Sequence, residues 1–379
     1  MGIKIYLIAG EASGDLHGAC LVEEIRRLFP GALFRGFGGD RMHQAGVEIV
    51  RHYRQLDFMG FSEVLANIIS IGKNFYFCRQ DILTWKPDAV ILIDYPGFNL
   101  RIAPFIHRAG IKVIYYISPQ LWAWHEARVK TIRRYVDHML VILPFENDFY
   151  ARHGVQVTYV GHPLLDLIPE KRELLPADTR RQVALLPGSR RQEIERMLPV
   201  MLRMIPCFPQ CRFVVAGLSS VAESFYRSLM GDYPAELVMD GTYEVLSRSH
   251  AAIVTSGTAT LETALHLVPM IVCYKGNRWS YAIARYLVRV PYISLVNLIA
   301  GKAVVTELIQ EGMNEKRLKE ALERLLYDES YRNEMKSAFR ELRQKLGEPG
   351  AARRAAACIG AWLLPAPDPI GMEPLQTSV

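Results

Sequence analysis

Two doubly wound α/β domains facing a central cleft, each a parallel sheet covered by helices on both faces, are the architecture this sequence predicts. Short, wholly apolar and β-branched runs alternate with helical patterns along the chain, and strands of that kind belong in sheets buried on both faces. The series stops once, near Gly161, and then starts again. Length agrees: 379 residues that are 50% hydrophobic can fill two ordinary cores, and a single core of this size would be unusual.

In chain order, residues 3–9 (IKIYLIA) read as the first strand and residues 17–29 (HGACLVEEIRRLF) as the helix behind it. Residues 89–93 (AVILI), 113–117 (VIYYI) and 139–143 (MLVIL) continue the first series. The segment VGHPLLDLIPEKRELLPADTR then collects glycine, prolines and charges, which places the boundary within residues 161–180. Residues 183–186 (VALL), 212–216 (RFVVA), 251–254 (AAIV) and 270–273 (MIVC) form the second series. The expected division is 1–165, 166–345 and a C-terminal part, 346–379, made of a helix and a proline-rich tail after Leu364 that reads as disordered.

A formal charge of +6 suits nucleic acid, an anionic membrane surface or phosphorylated small molecules, and no nucleic-acid reader motif accompanies it, so nucleic acid is not the expected partner. The six cysteines form no CxxC pair, and Cys207 and Cys211 have no nearby histidine to complete a zinc set, so they read as reduced core thiols of a cytoplasmic protein. The N-terminal IKIYLIAG is too short for a secretory leader, and no apolar stretch is long enough to span a bilayer.

Doubly wound domains bind ligands at the carboxyl ends of their strands, so the chemistry is sought in the loops that follow them. VALLPGSRRQEIERMLPVML (183–202) is a buried strand, a turn and an amphipathic helix: Gly188 permits close backbone approach, Ser189 can cap, and Arg190 adds charge beside the helix N-terminus. These suit a diphosphate, although an ordinary turn with a surface arginine reads the same way. IVTSGTATLETALHL (253–267) is a second such loop, with Ser256, Gly257 and Thr258 before a helix whose Glu262 can accept hydrogen bonds from a ribose diol or merely stabilise the helix start. Two anion-suited loops in one domain fit a nucleoside diphosphate.

AGEASGDLHG (9–18) lacks GxGxxG spacing, so a dinucleotide reading is weak. Glu11, Ser13, Gly14, Asp15 and His17 read instead as lining an acceptor sugar, with Asp15 alternatively a helix cap. Asp94 closes the strand DAVILID, where apolar walls would raise its pKa and make it a general base for a hydroxyl, unless it only forms the turn. Trp122, Trp124 and His125 lead into a basic helix suited to sugar stacking and phosphate contact, or simply a solvated face, with Trp124 placed on the acceptor side. In residues 58–80, Leu65, Ile68, Ile69, Phe75 and Phe77, with Lys73 and Arg79 nearby, read as a membrane-docking or acyl-binding patch, the alternative being a buried helix.

AGEASGDLHG, SPQLWAW, LPFE, GHPLLD, LLPGSR, TSGTATLE and SLVNLIAG occur in one order between about residues 3 and 345, and in that combination the chain resembles the lipid-A-disaccharide synthases. The resemblance implies a GT-B fold and an inverting transfer of 2,3-diacylglucosamine from UDP to the 6-hydroxyl of 2,3-diacylglucosamine 1-phosphate. It implies an N-terminal domain for acceptor and membrane and a C-terminal domain for the UDP-sugar, at the inner face of the inner membrane. Asp94 would be the base, Gly188, Ser189, Arg190, Ser256, Gly257 and Thr258 the diphosphate cradle, Glu262 the ribose partner and Asn297 a further donor contact. Gly97 stands where the family often has a second aspartate. No DxD-like pair sits beside the phosphate loops, so neither metal nor cofactor is expected; the oligomeric state is not readable, and a homodimer is left open.

Overall fold

Thirteen strands among the described residues form two all-parallel sheets, one in each half of the chain. The computed structural model describes residues 2–56, 63–124, 126–168, 181–276 and 290–363, with the backbone alone at 63–71 and 124. The first sheet holds Lys4–Ala9 (β1), Leu33–Gly38 (β2), Glu48–His52 (β3), Ala89–Ile93 (β4), Lys112–Tyr116 (β5), His138–Val141 (β6) and Thr158–Tyr159 (β7), in the order β3-β2-β1-β4-β5-β6-β7. The second holds Gln182–Leu186 (β8), Arg212–Gly217 (β9), Ala235–Met239 (β10), Ala251–Thr255 (β11), Met270–Tyr274 (β12) and Thr306–Ile309 (β13), in the order β10-β9-β8-β11-β12-β13.

The unbroken apolar runs are the central strands. Every residue of β4, β8 and β11 is buried, and β1 and β5 are buried but for their first residue, as helices on both faces require. In each sheet the winding reverses once, between β1 and β4 and between β8 and β11. The helices between strands diverge to opposite faces there and leave a crevice at the carboxyl edge.

The helix after β1, Ala12–Leu28 (α1), starts five residues earlier than its apolar pattern, with Glu11 extended at its N-cap. Asp40–Gln44 (α2) follows β2, Pro96–Arg108 (α3) follows β4, and Arg191–Leu202 (α4) and Thr258–Leu265 (α5) follow β8 and β11. The expected basic helix is broken into Leu121–Trp124, a turn at Glu126–Arg128 and Val129–Tyr135. The proline-rich tail lies outside the described residues.

A final helix, Ala351–Leu363, leaves the second half and packs against α1 of the first. Asp166 caps it, accepting from Gly350 N, from Ala351 N at 3.3 Å and from Ala352 N at 3.3 Å. Arg354 donates to the Val160 carbonyl at 2.8 Å, Tyr159 to the Leu346 carbonyl at 2.7 Å, and the Trp362 ring stacks on His138 with centroids 3.9 Å apart. This return ties the second half of the chain to the first sheet, so the loops at the two switch points are held toward each other.

Cysteine placement corrects one expectation. All six are free, but Cys207 is exposed and Cys20 and Cys358 are half-buried; only Cys78, Cys211 and Cys273 are core residues.

Candidate active site

Each switch point carries two of the loops singled out in the sequence: Glu11 follows β1 and Asp94 follows β4, while Gly188–Arg190 follow β8 and Ser256–Thr258 follow β11. The loops meet across the cleft, where Arg190 Nη2 donates to Glu11 Oε1 at 3.2 Å.

Asp94 sits in a strained turn. Its φ is +45° and that of Tyr95 is +47°, and the neighbouring strand also ends in a left-handed residue, Ile117 at +65°. Such conformations cost roughly 1–2 kcal/mol per non-glycine residue and persist only where surroundings enforce them. The enforcement comes from α3: the buried Asn99 amide donates to the carbonyls of Asp94 at 2.8 Å, Ile93 at 3.3 Å and Ile8 at 3.4 Å. Tyr115 adds a 2.5 Å hydrogen bond to the Asp94 carbonyl. The Tyr95 ring lies over Gly10, where a Cβ would come within 2.3 Å of it, so only glycine fits there.

The turn points the Asp94 carboxyl into a low-dielectric recess. Desolvation pushes its pKa up to about 7, the negative charge of Glu11 adds to the shift, and the Tyr95 amide and Arg190 partly oppose it. Nothing lies within 4 Å of where a Cβ on the exposed Gly97 would stand, so a side chain there would meet no steric barrier.

On the facing domain, Gly188 has φ +119°, and the next two amides converge on one point: Ser189 N and Arg190 N both donate to Glu193 Oε2, at 3.1 and 3.3 Å. Successive amides arranged this way bind anions. Ser189, Arg190, Gly257 and Thr258 are exposed at this edge, whereas the Ser256 hydroxyl donates to the Ile293 carbonyl at 2.9 Å. Glu262 is partly buried; desolvation raises its pKa, and Tyr243 donates to its Oε1 at 2.9 Å. Tyr243 thereby holds the carboxylate through that one oxygen.

Several expected site residues serve the scaffold instead. Asn297 is 1% exposed and its amide is saturated: Nδ2 donates to the Val305 carbonyl and Glu307 Oε1, and Oδ1 accepts from Val304 N and Val305 N, all within 3.0 Å. A donor contact would require breaking that set. Asp15 is buried and caps α2, accepting from Gly39 N at 2.7 Å and from Arg41 N and Met42 N at 3.1 Å, so its oxygens do not face a sugar. His17 is buried beside His162 and held neutral, its pKa lowered by desolvation to about 4. Gly14 packs on Ala9, which leaves Ser13 and Glu11 as the exposed and half-exposed members of that cluster.

Phe75 and Phe77 also depart from the expectation of an exposed patch. Phe75 lies 4.2 Å, centroid to centroid, from the buried Phe98, and Phe77 stacks on Phe37 at 6.3 Å with the Arg51 guanidinium over it. They face the core. Lys73 and Tyr76 on the same helix, Glu63–Trp85, are exposed; the side chains of Leu65, Ile68 and Ile69 lie outside the described residues, as do the side chain of Trp124 and all of His125.

Asn99, Tyr243, Glu193 and Glu146 join the site only through partners that folding brings to them. Glu146, from the LPFE run, is 1% exposed and accepts from Ile142 N at 3.2 Å, Leu143 N at 2.9 Å and Trp122 Nε1 at 3.3 Å, with its pKa raised to about 7 by desolvation. It fixes Trp122, which with Phe145 and Phe149 lines an open 590 Å³ pocket to which the other half of the chain contributes Val290 and Leu298.

Two parallel domains meeting at their switch points define a protein of the GT-B class, and solved structures agree. A UDP-GlcNAc 2-epimerase from Neisseria meningitidis bound to UDP-GlcNAc superposes with a TM-score of 0.66, covering 95% of this chain and 100% of its own at 13% identity. The glycotransferase of kitacinnamycin gives 0.63, with 96% and 100% covered at 15% identity. The family model described as lipid-A-disaccharide synthetase matches residues 5–359. Lipid-A-disaccharide synthases of Geobacter sulfurreducens and Syntrophus aciditrophicus are 41% and 42% identical, over 94% and 93% of this chain and 96% of each relative. The chain belongs to the lipid-A-disaccharide synthase family.

The raised pKa of Asp94 has a measurable consequence. A carboxyl that titrates near 4 unfolded and about 7 folded makes the native state hold its proton longer, so stability is lost as pH rises between those values and stays constant above. Asp94→Asn removes that loss. Its denaturant midpoint should exceed the wild-type value by more at pH 8 than at pH 5; an equal difference at both would show that Asp94 titrates alike in both states.

Proposed function

We propose that this cleft carries out the family's reaction on the residues named above. As a member of that family the chain is a glycosyltransferase that forms the lipid A disaccharide. The donor is UDP-2,3-diacylglucosamine, the acceptor 2,3-diacylglucosamine 1-phosphate, and the product a β-1,6 disaccharide with release of UDP. The observation that carries the assignment is the meeting of the two switch points: a partly desolvated carboxyl at one, paired amides and a guanidinium at the other.

The second domain takes the UDP moiety. The amides of residues 188–190 and 257–258 at two helix N-termini, together with Arg190, hold the diphosphate, and Glu262, oriented by Tyr243, receives the ribose diol. Asp94 accepts the proton of the acceptor 6-hydroxyl while that oxygen bonds to the anomeric carbon from the side opposite UDP. The bond from that carbon to the phosphate oxygen breaks, and inversion gives the β linkage. Charge building on the departing diphosphate is met by Arg190 and the helix ends. A base with a pKa near 7 is about half ionised at neutral pH and still basic enough to pull.

The acylated substrates place this work at the inner face of the inner membrane. No helix among the described residues is long and apolar enough to cross a membrane, so the contact we propose is peripheral. It is made by Leu65, Ile68 and Ile69 with the exposed Tyr76 and Lys73, Phe75 and Phe77 being excluded by their core contacts.

Asp94→Asn should reduce turnover at least about a hundredfold while leaving the Kd for UDP nearly unchanged. Arg190→Ala should weaken UDP binding and slow transfer together. Turnover of Asp94→Asn within about tenfold of wild type would assign the base elsewhere. The variant Ile68→Ser with Ile69→Ser should lose flotation with anionic vesicles at an unchanged melting temperature, whereas retained flotation would move the docking surface.

A further inference from the structure

The amides that suit the donor's phosphate are already occupied by an anion of the protein's own. Glu193 Oε2 takes both Ser189 N and Arg190 N, and its Oε1 lies 3.8 Å from Arg190 Nη1. A Cβ on Gly188 would stand 2.6 Å from Glu193 Oε2, so the carboxylate fills the space that the glycine opens. The other side of the Arg190 guanidinium is held by Glu11, from the opposite domain, at 3.2 Å.

A capping box accounts for the bonds of Glu193 to the helix start. It does not account for Arg190 reaching across the cleft to a second carboxylate. Taken together, two carboxylates occupy one amide nest and one guanidinium, the set of groups a diphosphate would engage with its two phosphates.

We infer that Glu193 and Glu11 are internal surrogates for the donor's diphosphate, and that the nucleotide binds by exchange with both. The inference rests on the donor-site reading above. Binding frees the amides from Glu193 and breaks the interdomain pair of Glu11 with Arg190, so donor entry and release of the bridged cleft are one event. Glu11, Glu193 and Arg190 have side chains 36%, 33% and 48% exposed, so each carboxylate can turn to water without a buried charge being left behind. The two carboxylates then set donor affinity: they keep the empty site preorganised and weaken the product's hold on it.

The test is calorimetric titration of wild type, Glu193→Gln, Glu11→Gln and Arg190→Ala with UDP, uridine and inorganic pyrophosphate. Glutamine retains the capping hydrogen bonds, and melting curves verify that each variant is folded. Each glutamine variant should bind UDP and pyrophosphate about two- to fivefold tighter, the scale of an exposed charge pair released, with uridine unchanged. Unchanged or weaker UDP binding in either variant, or equal tightening of uridine, overturns the exchange and leaves Glu193 a helix cap. Arg190→Ala separates the two levels: if it leaves UDP affinity intact, the donor-site reading itself fails, whereas weakened binding there with no tightening in the glutamine variants removes only the exchange.

Discussion

The amide of Asn99 holds three carbonyls at the ends of two adjacent strands, and the geometry of the first domain's crevice depends on that one side chain. Two successive left-handed non-glycine residues would relax if released, and the chain would leave β4 in the extended direction, carrying Asp94 away from the crevice. Holding the turn places a carboxyl where water is scarce. Its elevated pKa and the strained backbone beneath it therefore have one origin, and both are stability given up locally at this turn.

In the proposed reaction, a base on one domain is useful only if the leaving group on the other is held opposite it. Both sheets reverse their winding beside their first strand, so each offers its crevice at the same kind of edge. The terminal helix, capped by Asp166 and packed on α1, brings the second half back onto the first. Between the two crevices stand three carboxyl groups and one guanidinium: Asp94 and Glu11 lie close enough for like charges to oppose each other, and Arg190 is held between Glu11 and Glu193. In this arrangement Arg190 faces carboxylates of both domains.

Which parts of this were legible in the sequence follows from burial. The central strands could be read because burial on both faces leaves only apolar residues, as in AVILI and VALL. Three of the four described edge strands, Glu48–His52, Ala235–Met239 and Thr306–Ile309, are half-exposed and of mixed polarity, and no period marks them. The positions of Asp94 and the Pro-Gly-Ser-Arg turn at the ends of strands were legible because an apolar run stops there at a polar or turn-forming residue. Asn297 and Asp15 were misassigned because saturation of a polar group is a property of partners brought in by folding, such as Glu307 and the α2 amides. Phe75 and Phe77 looked surplus to one helical stripe because their partners, Phe98 and Phe37, come from other elements. Glu193 did carry a signal, an acid three residues after the helix start, which is the capping-box spacing.

The turn after β4 delivers a carboxyl whose proton affinity has been raised by its recess. The direct measurement is the titration of that one group, by infrared difference spectra of wild type minus Asp94→Asn across pH 4 to 9 in the ligand-free protein. A carboxylic-acid band should be lost with a midpoint near 7. A midpoint at about 4, the ordinary aspartate value, would contradict it, because the recess would then be wet and Asp94 too weak a base at neutral pH.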